Sequence, residues 1–227
     1  MKSLFLLLTC LSLSSTAAEV ALDIGHSRSH PGTISAGGVP EWELNRRLAE
    51  AVAAHLRRLG IGYRLIGADG EMEVLTERTA LAAKDRLFIS LHHDSVQPDW
   101  FAQAEHYRGY SLFVSRKNQR IDQSLACAKL IGDRLIGAGF QPSLYHATPV
   151  KGENRPFADQ GRGIHYYDGL AVLRTARQAA VLVEAGVVAN PRDEMNVTGK
   201  EGRDRVARAI AEAVVDCLQA MQPYSLH

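Results

Sequence analysis

Apolar positions along the chain follow two periods. Leu44, Leu48, Val52, Leu56 and Leu59 recur at the spacing of one helix face, predicting a helix from Pro40 to about Leu59, closed by Gly60. Further helices are predicted over Val74 to Lys84, over Asn118 to Ile136 (burying Ile121, Leu125, Ala128 and Leu135), and over Glu201 to Met221. The last turns Val206, Ile210, Val214, Cys217 and Met221 inward. Short continuous apolar runs predict strands buried on both faces: Val20 to Ile24, Tyr63 to Ile66, Arg86 to Leu91, Tyr110 to Val114, Leu170 to Leu173 and Ala180 to Ala185. Val96 to Gly109 is less regular. Gly139 to Gly169 has little periodicity, and a loop of that length in a compact domain is usually functional or partly disordered. Strands alternating with helices predict an α/β fold of three layers, with a mainly parallel twisted sheet and helices on both faces.

The first 18 residues stand outside that pattern. Lys2, an apolar stretch from Leu4 to Leu13 and the small residues Ser14-Ser15-Thr16-Ala17-Ala18 have the layout of a secretory signal. The stretch is too short to span a bilayer. Cleavage after Ala18 would export a single domain over 19–227, to the periplasm or the medium. With 26 basic and 25 acidic residues, the charge balance gives no electrostatic case for nucleic acid or an anionic membrane surface. Cys127 and Cys217 fall on predicted helices without metal-knuckle or redox-pair spacing. Oxidising conditions would let them pair, and two separate buried thiols are the simpler expectation.

One carboxylate breaks the apolar logic. Glu184 lies inside Val181-Leu182-Val183-Glu184-Ala185-Gly186-Val187-Val188, where an ionised group costs several kcal/mol, in order of magnitude, unless something compensates it. A buried salt bridge to Arg174 is one way; a metal site is another. Histidines end two comparable strands: His26 after Val20 to Gly25, and His92 or His93 after Leu87 to Leu91. Sites in open α/β sheets form at the carboxyl ends of strands, so His, His and Glu at three such ends point to a metal-centred catalytic site. Side chains of His92 and His93 must point to opposite faces, and periodicity does not choose between them; the one left over becomes a hydrogen-bonded structural histidine. The predicted first helix does choose between its acids. Glu41 shares a face with Leu44, Asn45 and Leu48, while Glu43 groups with Arg46, Arg47 and Glu50 on a charged side. No nucleophile elbow, Walker A loop, dinucleotide fingerprint or His-Glu-x-x-His helix occurs.

Five segments taken in order resemble the zinc-dependent N-acetylmuramoyl-L-alanine amidases of bacterial cell walls. They are Leu22-Asp23-Ile24-Gly25-His26, Pro40-Glu41-Trp42-Glu43-Leu44-Asn45, Ile89-Ser90-Leu91-His92-His93-Asp94, Ser111-Leu112-Phe113-Val114-Ser115 and Val181-Leu182-Val183-Glu184-Ala185-Gly186. The resemblance covers about Val20 to Met221. It implies Zn2+ held by His26, Glu41 and His92, Glu184 as the catalytic glutamate, and support near the metal from Asn45 and Ser90. The implied reaction is hydrolysis of the amide between N-acetylmuramic acid and L-alanine of the stem peptide. The implied partner is peptidoglycan, with any protein activator unidentified. The chain departs from the family pattern at Ser27 to Gly32 and at His93-Asp94, around the ligands rather than at them. Alternatives on the same scaffold are a zinc peptidase or carboxypeptidase of the cell wall and a non-catalytic wall-binding module. Lys151, Arg155 and Arg162, with Tyr145, Phe157, Tyr166 and Tyr167, suit Gly139 to Gly169 to lie beside the cleft and meet an anionic, sugar-bearing substrate.

Overall fold

The computed structural model describes residues 18–221, so the export-signal expectation falls, except for Ala18, outside the described residues. Seven strands form one sheet in the order β2-β1-β3-β7-β4-β6-β5. They are β1 (Val20–Ile24), β2 (Tyr63–Ile66), β3 (Leu87–Asp94), β4 (Ser111–Val114), β5 (Phe157–Asp159), β6 (Ile164–Tyr166) and β7 (Ala179–Val187). Pairings β1–β2, β1–β3, β3–β7 and β4–β6 are parallel, while β4–β7 and β5–β6 are antiparallel. The helices are α1 (Glu41–Arg58), α2 (Leu75–Leu81), α3 (Ile121–Gly137), α4 (Ala171–Thr175), α5 (Pro191–Thr198) and α6 (Lys200–Ala220).

Side-chain alternation along the strands builds the layers. Val20, Leu22 and Ile24 of β1, Leu87, Ile89 and Leu91 of β3, and Val181, Val183 and Ala185 of β7 join α1, α3 and α6 in one large core. The intervening residues Ala21, Phe88, Ala180 and Leu182 face a thinner layer with Val172, Leu173 and Ala176 from around α4. Period two therefore places Ser90, His92 and Glu184 on the thin-layer face. The three-layer α/β expectation holds, with the layers unequal. No described helix is long and apolar enough to cross a membrane.

Several local expectations are corrected. Helix α1 ends at Arg58, which carries Leu59 out of the inward stripe to 48% exposure. Leu170 to Leu173 does not add a strand; Leu170 caps α4. An apolar run of four residues is compatible with either element, and here Val172 and Leu173 pack in the thin layer against the face of the sheet. The segment Gly139 to Gly169 supplies the outer strands β5 and β6, each too short to show a period. Helix α5 was not foreseen; Asn190 caps it by accepting from the backbone N–H groups of Arg192 and Asp193. Cys127 of α3 and Cys217 of α6 form a disulfide, Cα atoms 5.2 Å apart, rather than two separate thiols: both inward stripes meet at the same level of the large core.

Candidate metal and catalytic site

The site lies at the carboxyl ends of β1, β3 and β7, where the first turn of α1 approaches them. Strand β1 hands over to Gly25 and His26, and His26 adopts the left-handed conformation with φ +70°, uncommon for a residue with a side chain. The buried guanidinium of Arg78 holds it there, donating to the carbonyls of Ile24 (2.6 Å), His26 and Met72. Arg78 also pairs with Asp23 at 2.8 Å, and Ser90 Oγ donates to the other Asp23 oxygen at 2.7 Å. Ser90 thus acts on the site through Asp23 and Arg78, not by touching a candidate ligand.

Glu41 enters from the first turn of α1 and is buried. One of its oxygens lies 3.0 Å from His26 Nε2 and the other 3.0 Å from His92 Nδ1. Asn45, one helical turn on, donates to Glu41 Oε1 at 3.2 Å and to the Gly25 carbonyl at 3.2 Å. Burial pushes the Glu41 carboxyl up, but hydrogen bonds and charge from His26 and His92 outweigh it and hold it below the usual carboxylate range. A side chain at Gly25 would collide with the His92 ring, and one at Gly32 with Glu41 and His26. Glycine at those two positions keeps the pocket open.

His26, Glu41 and His92 each offer a donor atom, all within 4.8 Å of one another. Two imidazole nitrogens and a carboxylate oxygen are a donor set zinc favours, with room for a fourth ligand. His93 turns the other way, is fully buried, and donates from Nδ1 to Asn45 Oδ1 at 2.8 Å. Burial lowers its pKa to about 4, so it stays neutral and braces the residue that braces Glu41. Glu43 bonds Arg46 and Arg47 on the surface.

Glu184 pairs in register with His92 across β3 and β7, on strands roughly 4.8 Å apart. Its Oε2 is buried without a hydrogen-bond partner. Burial pushes its carboxyl well above the usual carboxylate range, and the negative charges of Asp94 and Glu41 add to that. Arg174 does not compensate it: that side chain is exposed and donates to the Gly169 carbonyl at 3.0 Å.

Two clefts of about 310 Å³ each meet at this edge. His26 and His92 border one, whose walls are largely apolar (Met72, Leu75, Leu182). Glu184 borders the other together with Asp94, Phe113, His146, Arg155 and Tyr167. The segment Gly139 to Gly169 therefore walls the second cleft. His146 is clamped there, Nε2 2.7 Å from Asp94 and Nδ1 2.8 Å from Glu153. Burial alone would lower its pKa, but the Asp94 charge and both hydrogen bonds prevail and raise it to about 9. The Tyr145 hydroxyl packs against Asp94 and lies 2.6 Å from the Ser95 carbonyl. Sequence reasoning missed this cluster. The one available signal was Asp94 itself, an acid two positions past a strand-ending histidine.

A family model described as N-acetylmuramoyl-L-alanine amidase matches residues 20–216. N-acetylmuramoyl-L-alanine amidase AmiA of Escherichia coli is 26% identical over 215 residues, covering 86% of this chain and 74% of AmiA. Among solved structures, the N-acetylmuramyl-L-alanine amidase Ami1 of Mycobacterium smegmatis superposes with a TM-score of 0.73 at 24% identity, covering 91% of this chain and all of that one. An N-acetylmuramoyl-L-alanine amidase of Clostridium difficile gives 0.72 at 20% identity, with 91% of this chain and 100% of that chain covered. These structural likenesses bear on the fold.

Proposed function

The chain belongs to the N-acetylmuramoyl-L-alanine amidase family, and from that premise we propose that it hydrolyses peptidoglycan at the amide joining N-acetylmuramic acid to L-alanine, using a zinc ion on His26, Glu41 and His92 with Glu184 as base. One observation carries the reading: three donors from β1, α1 and β3 converge beside a carboxylate whose buried oxygen has no partner within the protein.

When bound, zinc would acidify a coordinated water toward pKa ~7 and polarise the scissile carbonyl. The rest is the work of the chain. Glu41 and the two histidines hold the site rigid, with Asn45 and Arg78 fixing their backbone and rotamers. Glu184 accepts the proton of the attacking water and returns it to the departing L-alanine amine. Its raised pKa suits both halves of that cycle near neutral pH. The apolar walls beside His26 and His92 limit solvent around those two side chains, which strengthens each charge interaction there.

Export and a periplasmic or secreted setting are part of the same proposal. The signal-like first 18 residues and the Cys127–Cys217 disulfide both support an oxidising compartment. Mass analysis of products from defined muropeptides tests the reaction. A peptide with a free L-alanine amino terminus and an intact glycan is expected, lost on chelation. Cleavage inside the stem peptide instead would make the protein a wall peptidase.

A further inference from the structure

We propose that Arg155 binds a carboxylate of the stem peptide, making the enzyme selective for stems in which the residue after L-alanine carries a free carboxylate. This rests on the amidase reading above. Glu184 must reach the departing amine to return a proton to it, and Glu184 borders the cleft walled by Phe113, Arg155 and Tyr167. The leaving group is the L-alanine amine, so the peptide attached to it extends into that cleft. The sugar side is left with the apolar cleft by His26 and His92.

Charge within the second cleft singles out one residue. His146 has both nitrogens committed to Asp94 and Glu153. Glu153 turns its remaining oxygen to Gln97 Nε2 at 2.6 Å. Arg155, by contrast, enters none of the ion pairs found among the described residues. Its guanidinium stacks over the Tyr167 ring, 3.9 Å from the centroid, and donates to the carbonyls of Gly152 (2.8 Å) and Glu153. Stacking and the two carbonyls fix the plane of the fork, and Glu153, whose carboxyl the Arg155 charge helps to lower, forms no ion pair with it. A planar guanidinium so held is preorganised for a bidentate carboxylate. The other two cations of the segment do not qualify: Arg162 is tied to Asp133 and Asp159, and Lys151 is exposed and lies outside the residues that wall the cleft.

The test uses two synthetic N-acetylmuramoyl peptides that differ only in a free or amidated carboxylate on the second stem residue. The zinc-loaded protein should favour the free acid by roughly tenfold to a hundredfold in kcat/KM, the worth of a charge-assisted hydrogen-bond pair. In Arg155→Gln that ratio should collapse to about 1, and Arg155→Lys should restore part of it. Calorimetry of both peptides on Glu184→Gln reads the preference without turnover and without altering Arg155; the free acid should bind at least about tenfold more tightly. Equal affinity there, or an undiminished ratio in Arg155→Gln, overturns the assignment while leaving the amidase reading standing. If the wild-type protein cuts neither peptide at the muramoyl–alanine amide, the amidase reading fails and this assignment falls with it.

Discussion

His92 and Glu184 are in-register partners on the adjacent parallel strands β3 and β7 and face the same side of the sheet. That pairing sets a candidate metal ligand beside a carboxylate whose Oε2 is buried, with no loop between them. Glu184 is not among the three donors that converge.

Glu184→Gln preserves shape and removes the proton acceptor. Turnover on a defined muropeptide should fall by roughly a hundredfold to ten-thousandfold, the usual worth of a positioned general base. Zinc content by atomic absorption should stay at one per chain. Loss of zinc would make Glu184 a ligand, and retained turnover would remove it from the mechanism.

The two neighbouring histidines should part company. His92→Ala should empty the site, since His92 supplies a donor to it. His93→Ala should keep zinc but bind it more weakly, by roughly tenfold to a hundredfold, through the unbraced Asn45. Full occupancy in His92→Ala with an empty site in His93→Ala would reverse the assignment.

What the sequence disclosed and what it hid follow from range. Glu41 was separable from Glu43 because both sit on one helix, where a face is a local property. Glu184 stood out because a charge in a buried strand has to be accounted for by something. The choice between His92 and His93 needed α1 in place, since Glu41 meets His92 and Asn45 meets His93. Asp94 and His146 are 52 residues apart, with β4 and α3 between them in the chain. Asp23 could have been flagged by the Glu184 argument, being a buried acid in an apolar strand, but its partner Arg78 lies 55 residues away on α2. The same distance in sequence hid the disulfide between α3 and α6.

The Cys127–Cys217 bond closes a loop with a sequence separation of 90. In the chain-entropy account a loop that long is worth between roughly 4 and 5 kcal/mol through the unfolded state. Peptide mapping without reductant should find the two cysteines cross-linked, and Cys127→Ala with Cys217→Ala should melt several degrees lower. Two alkylatable thiols in the native protein would restore the simpler expectation.

His146 makes stability depend on pH in the alkaline direction. Its pKa is raised from 6.5 to about 9 in the fold, so both states are protonated below 6.5 and the stabilisation is fully present. It is lost as pH rises from 6.5 through about 9, where the folded form also gives up its proton. The contribution is at most about 3 kcal/mol, at 1.36 kcal/mol per unit. The stability gap between wild type and His146→Gln, measured by denaturant titration, should therefore shrink across that window. A gap that is flat or widens with pH would mean that His146 is neutral between Asp94 and Glu153.

Arg78 positions the candidate metal site. Its guanidinium reaches Asp23 and three backbone carbonyls, among them that of His26, and it is 1% exposed. Removing it leaves Asp23 without its counter-ion and frees His26 from a backbone conformation it would not otherwise favour. Arg78→Lys keeps one charge for Asp23 but cannot span three carbonyls, so it is the informative variant. It should stay folded by circular dichroism while zinc affinity, read by competition with a chelating dye, falls by roughly tenfold to a hundredfold. Turnover at saturating zinc should recover most of its loss, because Glu184 is untouched. If Arg78→Lys binds zinc as tightly as the wild type, His26 holds its left-handed turn unaided and Arg78 serves only to neutralise Asp23.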